Sequence, residues 1–315
     1  MPRLSSGRWV SRLLLESHYL FDLIDGDMAF DGYKLLIMPD DIRVSAELKI
    51  KLDAFLGRGG KLMLTGESGL NEDGTELLFD IGAKYVGKNE FEPDYLVAND
   101  ELKPDVTQSP LVMYHASQII RAETGQSLGK VCNSYFNRTY KHFSSHQHTP
   151  NNPNDCQYDC GTLKGNILYL AHPVFSIYRG LGAVAYKQYV VRAIDMILGD
   201  EKSLVTNLPS TARVSLMYQE KEDRSILHLL YANTINRGGA MQLSGGNLES
   251  QAGSVEVIEE LLPLHDVDIT LKLAKPVTKA TLEPQGKELE VSIDGDKITL
   301  KIDEFRCHQM VVLEN

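Results

Sequence analysis

Apolar positions change their period twice along the chain, and the changes divide it. Between residues 9 and 20 the positions Val10, Leu13 and Leu14, with Phe21 beyond, recur at helical spacing and predict an amphipathic helix followed by a short strand at 21–24. Residues 33–38 form a continuous apolar run that stops at Pro39-Asp40-Asp41, the pattern of a strand buried on both faces of a parallel sheet. Ser45 can cap a helix carrying Leu48, Leu52, Phe55 and Leu56, and Gly57-Arg58-Gly59-Gly60 stops it. A second buried strand follows at 61–65. Strand, helix and strand joined by short connections predict right-handed crossovers in a doubly wound α/β sheet of flavodoxin-like form.

Residues 71–160 carry weaker signals, among them 77–81 and 111–114, and read as excursions around that sheet. The apolar strand pattern returns at 165–171. A long helix is then expected over 181–198, through Val184, Tyr189, Val190, Ile194 and Ile197. Beyond Leu204 and Val205 the texture becomes short strands at 214–219, 226–232, 255–261, 267–273, 280–283, 289–293, 297–302 and 310–313. Turn signals such as Pro284-Gln285-Gly286 and Asp294-Gly295-Asp296 separate them. That spacing predicts a β-sandwich. The expected division is therefore an α/β domain over 1–205 and an all-β sandwich over 206–315. A doubly wound sheet ordinarily opens on a strand, whereas this chain enters a helix first, so either the fold is a variant or a segment belongs upstream.

Composition narrows the function classes. A hydrophobic fraction of 43% with 24% charged residues is that of an ordinary folded protein across the 315 residues. The 43 acidic side chains outnumber the 32 Lys and Arg, giving a net charge of -11, and no basic run forms a phosphate-neutralising stripe. Nucleic acid is not an expected partner. No apolar stretch approaches the ~20 residues of a membrane span, and the start lacks the apolar core of a leader, so a cytoplasmic protein is expected. Cys132, Cys156, Cys160 and Cys307 are too few and too scattered to announce a disulfide framework, and they fit a reducing compartment.

At Tyr-Lys-Leu-Leu-Ile-Met-Pro-Asp-Asp (33–41), a helix, and Gly-Arg-Gly-Gly-Lys-Leu-Met-Leu-Thr-Gly-Glu-Ser-Gly (57–69), the chain resembles the β-galactosidase trimerisation domain, a class I glutamine amidotransferase-like module. The tail, with Glu260-Leu261-Leu262-Pro263-Leu264 and the closing 308–314 stretch, is similar to the small sandwich that ends such enzymes. The resemblance implies a supporting portion of a fucosidase-like or β-galactosidase-like glycoside hydrolase. It also implies a (β/α)8 catalytic barrel that this chain does not contain, a homo-oligomer with a trimer favoured, a carbohydrate substrate for the parent enzyme, and no cofactor.

The catalytic positions of an amidotransferase read as blank. The family places a cysteine on a strained elbow after the central strand, where the turn exposes a thiolate. Here the elbow is Thr65-Gly66-Glu67-Ser68-Gly69, with Glu67 nearest the nucleophile position and Ser68 outside a Gly-x-Ser-x-Gly frame. His172-Pro173-Val174 stands where the family has His-Pro-Glu, so His172 is expected to be an orphan base whose orienting acid is replaced by Val174. Asp40 and Asp41 are assigned to turn formation and helix capping rather than to a glycosidase carboxyl pair.

The richest polar stretch is 140–150. Tyr140, His142, Phe143, His146 and His148 are binding or interface candidates: a surface for the barrel or a neighbouring protomer, a sugar-stacking platform, or histidine ligands without any standard zinc spacing. Three functions stay open: a non-catalytic oligomerisation and scaffold module; a stand-alone hydrolase or amidotransferase-like relic using Ser68 and His172; and a carbohydrate-binding module.

Overall fold

The structure, a computed structural model, describes residues 7–145, 148–238 and 255–315. The chain forms two compact units, Met1–Leu13 with Asp22–Glu201, and Leu14–Phe21 with Lys202–Asn315. This division differs from 1–205 and 206–315 in that Leu14–Phe21 counts with the second unit and the later change falls after Glu201. The first helix, α1 (Gly7–Glu16), is thus shared by the two units. It ends before His18, which takes a positive φ of 56°, and residues 21–24 form no strand.

The first unit is organised by a five-stranded sheet. Leu35–Met38, Lys61–Thr65 and Ile167–Leu170 run parallel, with Leu36 opposite Leu62 and Met63 opposite Leu168. Leu62, Met63, Leu64, Leu168, Tyr169 and Leu170 are wholly buried, as their unbroken apolar run requires. Helix α2 (Ala46–Gly57) starts where the Ser45 side chain accepts the Leu48 N–H at 3.2 Å, and it buries Leu52 and Phe55. Fully burying a side chain of that size contributes about 1.5–3 kcal/mol.

The rest of the sheet corrects the expectation of a doubly wound parallel sheet. Gly161–Lys164 and Gln126–Ser127 are added antiparallel, and Gly161–Lys164 pairs with Ile167–Leu170 through a tight hairpin. Gly165, read from the sequence as the first strand residue, is in the turn, with the positive φ of 55° that a short hairpin demands. A buried strand looks alike whichever way its neighbour runs, so the apolar pattern alone could not distinguish the two pairings. The sheet is therefore mixed and the chain is β-rich.

The expected helix over 181–198 is α4 (Val184–Leu198), and a further helix, α3 (Val174–Leu181), precedes it and ends at Gly182 in the left-handed conformation. The weakly patterned middle carries two small antiparallel sheets. One pairs Ala83–Lys88 with Gln118–Ala122; the other orders Leu111–Met113, Asp94–Ala98, Gly129–Cys132 and Tyr158–Asp159. Residues 77–81 form no helix or regular strand, although Phe79 and Ile81 are buried.

The second unit has two facing antiparallel sheets. The first orders Leu204–Thr206, Leu264–Lys272, Lys297–Phe305 and Val291–Asp294; the second orders Arg213–Gln219, Arg224–Tyr231, Cys307–Glu314, Lys279–Glu283 and Lys287–Leu289. One core draws on both, with Ile269, Leu271, Leu300 and Ile302 from the first and Leu227, Leu229, Val311 and Leu313 from the second. Alternation fixes the register: Ile298, Leu300 and Ile302 point in while Lys297, Thr299 and Lys301 point out.

Cys132 and Cys156 form a disulfide, a single bridge that the scattered cysteines did not announce. A separation of 24 residues across an irregular segment carries no recognisable spacing, and the argument for a reducing compartment goes with it. Cys160 is a buried free thiol whose pKa burial pushes up to about 12. No helix among the described residues is long and apolar enough to cross a membrane. Closing a loop of this length is worth about 3–4 kcal/mol on chain-entropy grounds. A Cys132→Ser, Cys156→Ser variant is therefore expected to lower the urea-derived stability by roughly 2–4 kcal/mol, and an unchanged midpoint would show that the bridge does not form.

Candidate functional site

The C-terminal ends of the three parallel strands lead into Pro39-Asp40, the Gly66–Gly69 elbow and Ala171-His172-Pro173. They meet at one carboxyl group. Asp40 has a positive φ of 55° and is buried. Its Oδ1 accepts the Thr65 hydroxyl at 2.7 Å and the Phe175 N–H at 3.4 Å, and its Oδ2 accepts the Ser176 N–H at 2.6 Å and the Ser176 hydroxyl at 2.7 Å. Helix α3 has Pro173 at its N-cap and hence no side-chain cap of its own. Asp40 caps it from 135 residues away, satisfying N–H groups that a helix start leaves open. Burial pushes the Asp40 pKa above the ordinary carboxylate value, against the opposing pull of the bonds from Ser176, Thr65 and Phe175.

The elbow is closely packed. A β-carbon on Gly66 (φ 57°) would stand 2.8 Å from the Asp40 carbonyl oxygen and 3.2 Å from the Pro173 Cα, so only glycine fits. The Glu67 N–H donates to that same Asp40 oxygen at 2.6 Å, and the Tyr169 hydroxyl donates to the Gly66 oxygen at 2.6 Å. The Glu67 carboxylate pairs with Arg43 at 2.6 Å and lies 3.8 Å from Lys88. Ser68 is wholly buried, and its Oγ accepts the Ile42 N–H at 3.0 Å. Ser68 is thus engaged by a backbone N–H, and Glu67 by a hydrogen bond from Arg43 and a longer ion pair with Lys88.

His172 is not an orphan. Its Nε2 lies 2.7 Å from Asp94 Oδ1, and both side chains are fully buried. The other Asp94 oxygen accepts the Ser117 hydroxyl at 2.6 Å, the Ser117 N–H at 3.1 Å and the Asn89 amide at 2.9 Å. Burial raises the Asp94 pKa, but His172 and the bonds from Ser117 outweigh it and hold the carboxyl below its ordinary value. The network continues: Asn89 donates to Asn133 Oδ1 at 3.0 Å, and Asn133 donates to Asp155 at 2.9 Å, beside the disulfide. Val174 replaces the acid next in sequence, as expected, yet an acid 78 residues earlier supplies the contact. No local spacing announces Asp94, Asn89 or Ser117, because the sheet and not the sequence brings them to His172.

The polar loop places its candidates apart. Tyr140 and Phe143 are 85% and 66% exposed, and the His142 ring stacks on Phe136 at 3.6 Å between centroids. His148 instead meets the edges of Tyr114 and Tyr95, with its Nδ1 3.5 Å from the Tyr114 hydroxyl. His146 lies outside the described residues. Among the described residues no three or more His, Cys, Asp or Glu side chains gather at metal-binding spacing.

Solved structures that resemble the chain are glycoside hydrolase-related, namely fucosidase and β-galactosidase chains. One is α-L-fucosidase isoenzyme 2 from Paenibacillus thiaminolyticus, at 34% identity and a TM-score of 0.89 over 99% of this chain and 46% of that one. Another is β-galactosidase from Bacillus circulans sp. alkalophilus, at 15% identity and a TM-score of 0.57, covering 99% of this chain and 38% of that one. The chain spans less than half the length of either. No protein-family model and no curated protein matches it.

Two outcomes test this geometry. Asp40→Ala leaves the Ser176 and Phe175 N–H groups and two hydroxyls without their acceptor, and should cost roughly 2–4 kcal/mol in urea unfolding; a loss under about 0.5 kcal/mol would remove Asp40 as the cap. For Asp94 the folded pKa lies below the unfolded value of about 3.9, so its contribution is complete above that pH and is lost as pH falls through the folded value. Unfolding midpoints of the wild type and Asp94→Asn, measured from pH 6 to pH 3, should therefore converge in acid. Parallel curves would contradict the assignment.

Proposed function

We propose that this chain is the non-catalytic supporting portion of a carbohydrate-cleaving glycoside hydrolase, working with a (β/α)8 barrel outside the sequence considered. The observation that carries the reading is the 34% identity and 0.89 TM-score over nearly the whole chain against less than half of an α-L-fucosidase. The first unit is, on this reading, an amidotransferase-like, flavodoxin-type module whose reaction centre has become structural. Three parallel strands with helices following the first and the last agree with that descent, and so does the elbow occupied by Glu67 in place of a thiol. Oligomerisation, with a trimer favoured, is its proposed task.

Exposed Tyr140 and Phe143, with His142 held against Phe136, favour the 140–148 loop as the surface that meets a neighbouring protomer or the barrel. The same exposed rings support a second reading in which the loop stacks on sugar, since aromatic faces present large apolar area to a ligand. The reading of the chain as a hydrolase in its own right loses support from the complete burial of Ser68 and His172 and from the engagement of Ser68 Oγ by the Ile42 N–H.

The purified chain is expected to release no 4-nitrophenol from aryl α-L-fucosides or β-D-galactosides and to elute as a trimer by light scattering. Turnover abolished by Ser68→Ala or His172→Gln would overturn the non-catalytic reading. A strict monomer at high concentration would remove the oligomerisation role.

A further inference from the structure

The second unit holds a pair of histidines that the proposed function leaves unused. Arg224–Tyr231 pairs antiparallel with Cys307–Glu314, placing His228 opposite Met310 and Leu230 opposite His308. Leu227, Leu229, Val311 and Leu313 are buried, so the alternate residues His228, His308 and Met310 share the outer face of the sheet. There the imidazole rings lie within 7° of parallel, their centroids 5.4 Å apart, and His228 Nδ1 stands 3.1 Å from His308 Nε2 in a solvent-exposed contact.

We propose that His228 and His308 form a surface site for a late first-row divalent transition ion, with Cu²⁺ bound most tightly. Imidazole nitrogen bonds such ions at about 2.0–2.1 Å. The rings meet end to end through nitrogens 3.1 Å apart; an ion at the bonding distance from both subtends an angle of about 98°, between the square and the tetrahedral values, and each ring turns by about 40° to aim its lone pair at it. Without an ion, the two nitrogens share one hydrogen. On binding, the donor imidazole passes that hydrogen to its far nitrogen, freeing the second lone pair; both rings stay neutral and no proton is released. Water completes the coordination from the solvent side, and Met310, directly opposite His228, places a soft thioether on the same face.

Two features favour chelation over a chance contact. The strand Arg224–Tyr231 has neighbours on both sides, Arg213–Gln219 and Cys307–Glu314, so the histidine backbones are fixed before the ion arrives. The contact also lies on the exposed outer face of the sheet, so an ion can reach it without opening the sandwich. The order of affinity follows the Irving–Williams series, Cu²⁺ above Ni²⁺ and Zn²⁺.

The experiment is a Cu²⁺ titration of the metal-stripped full chain, followed by electron paramagnetic resonance for nitrogen hyperfine coupling and by paramagnetic broadening of histidine ring signals. The expected result is stoichiometric binding through two imidazole nitrogens, with His228 and His308 signals broadened first. His228→Gln and His308→Gln should each weaken binding at least about tenfold, since each removes half of the chelate. A His142→Gln, His148→Gln control should leave it unchanged. Should a His228 or His308 variant fail to fold, the broadening pattern of the wild type decides. Broadening confined to the 140–148 loop or to other histidines, retention of binding by the His228→Gln, His308→Gln double variant, or no binding at millimolar Cu²⁺ would each overturn the site.

Discussion

The Asp40 carboxyl group is the constraint on which the first unit depends. It stands where the first parallel strand ends, accepts the hydroxyl of Thr65 at the end of the second, and caps the helix that follows the third. Removing any of these segments would leave the others with unsatisfied polar groups inside the fold, where each costs about 1–3 kcal/mol. The close approach of Gly66 to the Asp40 carbonyl and to Pro173 follows from the same convergence. In open α/β sheets the carboxyl ends of the strands are where ligands bind. Here that ground is held by the Asp40 carboxyl group and its four donors, so this carboxylate is satisfied by the protein itself.

The buried pairing of His172 with Asp94 extends the same logic outward. Two ionisable groups taken fully out of water need nearly complete hydrogen bonding to persist, and Ser117 and Asn89 supply it on the aspartate side. Through Asn89 and Asn133 the network reaches Asp155, and the Cys132–Cys156 bridge closes the same segment covalently. The exposed rings of Tyr140 and Phe143 thus stand on a loop whose two ends are tied to the interior by polar contacts and a cross-link. A loop so anchored loses less entropy when it meets a partner than a free one would.

How much of this was legible in the sequence depends on the range of each interaction. The two buried strands at 35–38 and 61–65, the Ser45 cap and the alternating strands of the sandwich rest on residues one to four apart, and pattern alone located them. The antiparallel turn of the sheet at Gly165 was hidden because a continuous apolar run has no direction. Capping by Asp40 was read correctly in kind, but which helix it serves was not legible, since that helix begins 134 positions later (174 − 40). The Asp94 partner of His172 and the partner of Cys132 were not visible at all. Each belongs to a strand or loop whose position is set by tertiary packing, and a single sequence carries no trace of such distances.

Sequence and structure meet most usefully at the elbow after the second parallel strand. A reactive elbow must hold a nucleophile free and strained, with its base close by and a third group orienting that base. In this chain the positive-φ glycine and the tight turn are kept, while Glu67 is given to Arg43 and Lys88, Ser68 to a backbone N–H and His172 to a buried aspartate. Glu67, Ser68 Oγ and His172 Nε2 are thus held by the protein itself, while His172 Nδ1 is buried without a hydrogen-bond partner. A strand-end junction braced in this way suits the supporting role proposed for the chain, because a support must keep its shape while chemistry proceeds elsewhere.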